Sequence, residues 1–193
     1  MVRTRDGGTH LIHRGLLGAT VSAIGVDVRV GVTHLDHMKS VERQTQMRHA
    51  LRALLAPEPA SVLLLGDLNA LSRADYTTDQ WSAHEAFNAA NGWDAPADEA
   101  AAGGVLDLLR QERFVDAYAA LDAPGRWRDA PWSAHVATER PPYRLDYVWS
   151  RAPASAGGRR LVPLGAFVAD GGEASDHQPV VVDFEAVAYD AGE

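Results

Sequence analysis

Two short segments concentrate the groups that could do chemistry. Gly66-Asp67-Leu68-Asn69 closes an apolar run, and Ser175-Asp176-His177 stands just ahead of another. A carboxylate and a carboxamide at the mouth of a strand can hold a cation, orient a water and donate to a phosphoryl oxygen. Residues two apart on an extended chain point the same way, which would aim Asp67 and Asn69 together. An imidazole beside a carboxylate offers a proton donor or acceptor near neutral pH and a metal ligand. Each segment also has a plainer reading, since Gly, Asp and Asn all favour the turn that ends a strand. Asp146 sits mid-strand in Arg144-Leu145-Asp146-Tyr147-Val148-Trp149. A carboxylate there is costly unless paired. Its partner is either His177, which it would hold in one tautomer, or an Arg such as Arg144. His34 and His37, in Thr33-His34-Leu35-Asp36-His37, form a candidate metal pair without a third ligand at helical spacing. For His37 solvent exposure is the preferred reading.

The elements that must position these groups are legible from periodicity. Residues 16–24 and 26–32 read as two strands joined by a hairpin at Gly25. Ser40 caps an expected helix over 40–56, with Met47, Leu51, Leu54 and Leu55 on one face and Pro57 and Pro59 beyond it. Val62-Leu63-Leu64-Leu65 is apolar throughout, as suits a strand buried on both faces. Residues 75–92 read as a loop and then a helix, with Thr77 and Gln80 as its capping box. Residues 103–121 hold a second helical stretch and 122–142 a long loop. Strands follow at 144–149, 161–168 and 179–184, with the loop 169–178 carrying His177. Irregular alternation of strands and helices with hairpins implies an α/β (α+β) fold, with a mixed sheet flanked by helices, in one domain over residues 1–193.

Composition narrows the chemistry. The chain has no Cys, which excludes disulfides, thiolate metal sites and Cys nucleophiles. Any metal must be held by carboxylate, amide or His, a donor set that suits hard ions such as Mg²⁺ or Mn²⁺. The formal net charge is -8. An acidic surface repels long polyanions, so nucleic acid is a less favoured partner than a phosphorylated small molecule or a phosphodiester. Lys39 is the one Lys, and no apolar run is long enough to span a bilayer. The polar N-terminus lacks a signal-peptide core, and the expected location is cytoplasmic.

Four motifs, in order, carry a resemblance. Thr33-His34-Leu35, Gly66-Asp67-Leu68-Asn69, Arg144-Leu145-Asp146-Tyr147 and Ser175-Asp176-His177-Gln178-Pro179-Val180 resemble the pattern of the endonuclease/exonuclease/phosphatase superfamily. That group includes deoxyribonuclease I, abasic-site endonucleases, neutral sphingomyelinases and inositol polyphosphate 5-phosphatases. The resemblance implies a deoxyribonuclease I-like sandwich of mixed sheets and a metal-dependent phosphoester hydrolase working by in-line attack of water. It assigns Asp67 to the attacking water, Asn69 and His34 to the phosphate, and His177 to the phosphate and to acid-base work with Asp146 behind it. Asp176, with Asp67 and Asn69, falls to the metal.

The pattern also has parts this chain lacks. The family's first strand ends in Asn, and a later one ends in a Glu that is the main metal ligand. Glu42, the first Glu here, falls in the expected helix. The chain therefore reads as truncated at its N-terminal side, with one half of the sandwich largely missing. An exposed apolar sheet face, low solubility and little or no activity are the expected consequences. Two rival readings remain. One is a nuclease, in which Arg126, Trp127, Arg128 and Trp132 stack on bases. The other is a non-catalytic remnant that binds a partner. Arg73, close behind the Asp67 segment, is a candidate phosphate contact or a surface ion pair.

Overall fold

The architecture follows from one strand that is apolar on both faces. In the structure, a computed structural model, β5 (Ser61–Asp67) lies at the centre of a five-stranded sheet. Residues 2–3, 9–10, 14–23, 25–57, 61–121, 143–155 and 157–190 are described. Two short strands, β1 (Val2–Arg3) and β2 (Thr9–His10), pair with each other. The main sheet has the order β3-β4-β5-β7-β6, with β3 (Leu16–Ala23), β4 (Val26–Thr33), β6 (Val115–Asp116) and β7 (Asp146–Arg151). β4 and β5 run parallel, which requires a crossover, and α1 (Ser40–Leu54) provides it. The other pairings are antiparallel. β8 (Arg159–Val168) and β9 (Val180–Ala188) form a separate two-stranded sheet. The mixed sheet and hairpins expected from the sequence are present, and no described helix is long and apolar enough to cross a membrane.

Alternation along β4 and β5 sorts the two faces. Val62 and Leu64 are fully buried and meet Met47, Leu51 and Leu54 of α1 and Leu106 and Leu109 of α3 (Val105–Gln111). Val26, Val28 and Leu63 point the other way, toward Leu161 and Ala186 of the β8–β9 pair. Arg29 reaches from β4 to the end of α1, donating to the carbonyls of Leu54 and Pro57, where helix carbonyls lack partners of their own.

Several boundaries differ from expectation for identifiable reasons. Ser40 is the first helical residue of α1, not its cap, and its hydroxyl accepts from Gln44. The Asp36 carboxylate instead takes the Met38 and Lys39 N–H groups just before the helix. Thr77 and Gln80 do form the capping box of α2 (Thr78–Ala90). The stretch 103–121 is not one helix. It breaks after α3 because Arg113 turns into the left-handed region (φ 62°) and delivers Phe114 to the core. Asp116 then caps α4 (Ala117–Ala120). Beside α2, His84 is fully buried among Tyr76 and Tyr143, and neither ring nitrogen has a partner among the described residues. Burial pushes its pKa down to about 4, so it is neutral at physiological pH.

Candidate active site

Gly66 sets the geometry. Its φ of 130° belongs to glycine, and a Cβ there would fall on the Thr33 carbonyl oxygen. The ends of β4 and β5 can therefore approach closely. The Leu35 N–H donates to the Asp67 carbonyl at 2.9 Å, and His34 Nε2 comes to 3.3 Å from Asp67 Oδ2. The turn that follows is not extended, contrary to the expectation from strand alternation. Asn69 has φ 46°, a conformation Asn tolerates, and its N–H donates to Asp67 Oδ1 at 2.8 Å. Its side-chain amide donates to the Leu35 carbonyl at 3.1 Å, and the Leu68 N–H to Leu145 at 2.9 Å. The turn is thus fastened to the segment just after β4 and to the residue just before β7.

Asp146 is the first residue of β7, not a mid-strand residue, and it lies directly opposite Asp67 across the ladder. Its Oδ2 is 2.7 Å from His177 Nδ1. Arg144, the other partner expected for it, is instead committed to Asp75 (3.1 Å) and Asp116 (2.7 Å) and stacks 4.3 Å over the Tyr147 ring. The Tyr76 hydroxyl oxygen accepts the Arg144 backbone N–H at 3.0 Å. This buried network fixes the entry to β7. A second buried pair, Arg43 with Glu99 (2.7 Å), fixes the start of α3, where Glu99 Oε2 also accepts the Val105 N–H. Sequence reasoning missed both networks. Their signal was weak, namely Arg144 two residues before Asp146, and Glu99 shortly ahead of Gly103-Gly104.

His177 comes from the loop between β8 and β9, closed at its neck by the Ala169 N–H donating to Pro179 at 2.8 Å. With Nδ1–H given to Asp146, Nε2 faces Asp67 Oδ2 at 3.9 Å. The Asp146 hydrogen bond holds the His177 pKa above its ordinary value against a smaller opposing effect of burial. Burial raises the Asp67 pKa, its side chain being 11% exposed, and the Asp146 charge adds to this. The Asn69 N–H and the two imidazoles pull the other way. The result is a buried carboxylate ringed by two imidazoles, more basic than an ordinary Asp.

His34, Asp67, Asn69, Asp146, Asp176 and His177 all line one cleft of about 590 Å³. Asp176 is exposed at its rim. His37, exposed as expected, also lines the cleft, with its ring edge-on to Trp93. Arg73 does not line it, and donates to the Tyr76 carbonyl at 2.8 Å. The stacking residues Arg126, Trp127, Arg128 and Trp132 lie outside the described residues. The expected metal donors were Asp67, Asn69 and Asp176. Among the described residues, no three His, Asp or Glu side chains are grouped to hold a metal ion. Asp67 spends Oδ1 on a backbone N–H and turns Oδ2 to His34. The described donors therefore fall short of a complete metal site.

The profile of the Endonuclease/Exonuclease/phosphatase family matches residues 2–177, which end on His177 itself. The chain belongs to this family. Solved structures agree on the fold. The endonuclease/exonuclease/phosphatase from Beutenbergia cavernae is 22% identical with a TM-score of 0.56, over 90% of this chain and 40% of that one. TDP2 of D. rerio, complexed with a single-strand DNA product, is 22% identical with a TM-score of 0.57, over 92% and 64%. The inositol polyphosphate 5-phosphatase domain of SPsynaptojanin is 14% identical with a TM-score of 0.51, over 92% and 52%. The chain thus spans less than two thirds of the length of these family structures. No curated protein matches it.

Proposed function

We propose that the chain supplies the water- and phosphate-handling groups of a phosphoester hydrolase. The observation that carries this reading is the meeting of His34 (3.3 Å) and His177 (3.9 Å) at one oxygen of Asp67, with Asp146 behind His177. A water between Asp67 and the phosphorus would lose its proton to Asp67 as its oxygen bonds to phosphorus in line. The bond from phosphorus to the leaving oxygen breaks, and His177, whose pKa the Asp146 hydrogen bond raises, supplies that oxygen's proton in its protonated form. His34 and the Asn69 amide stand beside the phosphoryl oxygens. Dependence on Mg²⁺ or Mn²⁺ belongs to the same proposal. Its support is the pair of carboxylates Asp67 and Asp176 on one cleft, and because the described donors are incomplete the expected turnover is slow.

The test is hydrolysis of bis(para-nitrophenyl) phosphate with and without Mg²⁺ or Mn²⁺. The expected result is slow hydrolysis that either ion raises and that Asp67→Ala lowers by about 100-fold or more. Rates equal in the parent and Asp67→Ala, or no hydrolysis at all, would overturn the proposal.

A further inference from the structure

The cleft has a second wall that the proposed reaction does not use. α2 ends at Ala90, and Trp93 follows the Gly92 turn. The Trp93 N–H donates to the Asn88 carbonyl at 2.9 Å, and the Asn88 side-chain amide donates to the Asp94 carbonyl at 2.8 Å. The Trp93 ring packs edge-on against Phe87 (5.6 Å, 76°) and against His37 (6.4 Å, 78°). It is half-buried and lines the same cleft as His34, Asp67 and His177. A Trp held by its backbone and by two rings, yet still open to a cleft, is a pre-formed stacking platform. Met38, Leu71 and Pro96 continue an apolar lining beside it.

Charge limits what else can enter. The described cations lining the cleft, imidazoles apart, are Arg14 and Arg43, and Arg43 is tied to Glu99 at 2.7 Å. Four carboxylates, Asp67, Asp94, Asp146 and Asp176, line the same space. Among the described side chains, a ligand with several phosphates would meet more negative charge than positive, whereas one phosphoryl group can be met by His34, His177 and Arg14.

Resting on the phosphoester reading above, we infer that the cleft takes an ester with one phosphoryl group and a planar aromatic substituent, which lies against Trp93. Trp93 and His37 then determine which esters bind, and the Asp67 cluster determines what happens to them.

Calorimetric titration of the full chain tests this with phenyl phosphate, adenosine monophosphate, ethyl phosphate and inositol bisphosphate. At least one of the two aromatic esters should bind on the order of tenfold tighter than ethyl phosphate, the better of the two showing whether a simple aryl ring or a nucleobase is the substituent. Inositol bisphosphate should bind no better than ethyl phosphate. In Trp93→Ala the affinity for the preferred aromatic ester should fall to that for ethyl phosphate, and Trp93→Phe should keep much of the preference. Equal affinity for all four ligands, tightest binding of the bisphosphate, no binding of any, or an unchanged aromatic preference in Trp93→Ala would overturn the inference. Comparing the titration with the hydrolysis assay separates it from the hydrolase reading. Aromatic preference without hydrolysis in the parent removes that reading and leaves this one. Hydrolysis without aromatic preference does the reverse.

Discussion

The two faces of the five-stranded sheet are built to different standards. On the helix side, Met47, Leu64, Leu106, Leu109 and Trp149 are all at or below 1% exposure and form one continuous core. On the other side the β8–β9 pair covers Val26 and Val28 but leaves Leu17 73%, Val21 46% and Val32 44% exposed. The register puts Leu17 opposite Val32 and Val21 opposite Val28, so these residues share the lightly covered face. The candidate site joins the two regions. Asp67, Asn69 and Asp146 stand on strand ends backed by the complete core, and His177 arrives from the β8–β9 side. The Asp146–His177 hydrogen bond is therefore a mechanical link between the faces as well as an electrostatic one.

The largest break in this comparison should come from the helix-backed region. Arg144→Met would leave Asp75 and Asp116 buried without their cation, a change that costs about 3–5 kcal/mol in comparable buried pairs. Urea denaturation followed by circular dichroism should show the midpoint falling sharply. A loss below about 1 kcal/mol would mean that the network is not what anchors β7.

A smaller effect should appear at the link itself. His177 is the proton source in the proposed reaction, so activity should fade at alkaline pH as His177 deprotonates. Its folded pKa lies above the ordinary 6.5 because Asp146 accepts from it. Asp146→Asn removes that charge, lowers the His177 pKa and should move the alkaline limb of the rate profile to lower pH. The sign for stability is the same. A raised folded pKa contributes fully below the unfolded value and is lost as pH rises through the folded value, so the parent's advantage over Asp146→Asn should shrink toward alkaline pH. An alkaline limb that stays put would show that another group sets it.

What could be read in advance tracks the same division. β5 was legible because an uninterrupted apolar run has few alternatives, and the capping box at Thr77 because it is a local pattern. Asp67, Asn69, Asp146 and His177 were legible as a set because their short motifs follow one another in the order of the family's pattern. How they meet was not. The left-handed Asn69 and the contact of Gly66 with Thr33 depend on a neighbouring strand, not on local alternation. Arg144 was weighed as a partner for Asp146 because the two are close in sequence. Its true partners, Asp75 and Asp116, are distant along the chain, and only packing brings them near. Trp93 went unremarked for the same reason, since its cleft is assembled from α2, the loop after β4 and the end of β5.

The smallest expected effect is on the lightly covered face, and it is informative because it is small. β3 is an edge strand among the described residues, eight residues long, with the sequence Leu-Leu-Gly-Ala-Thr-Val-Ser-Ala and no charged side chain. Such an edge offers unpaired N–H and C=O groups to another strand, and a Lys at an edge suppresses that pairing. Leu17 has little burial to lose, so Leu17→Lys should change folding stability by no more than about 0.5 kcal/mol. Light scattering across a concentration series should nevertheless show less self-association than the parent chain. Two results would contradict this. A loss of several kcal/mol would mean that Leu17 is covered when the chain folds. Unchanged association would move the sticky surface elsewhere, with Leu164 and Phe167 on β8, 62% and 51% exposed, as the next positions to change.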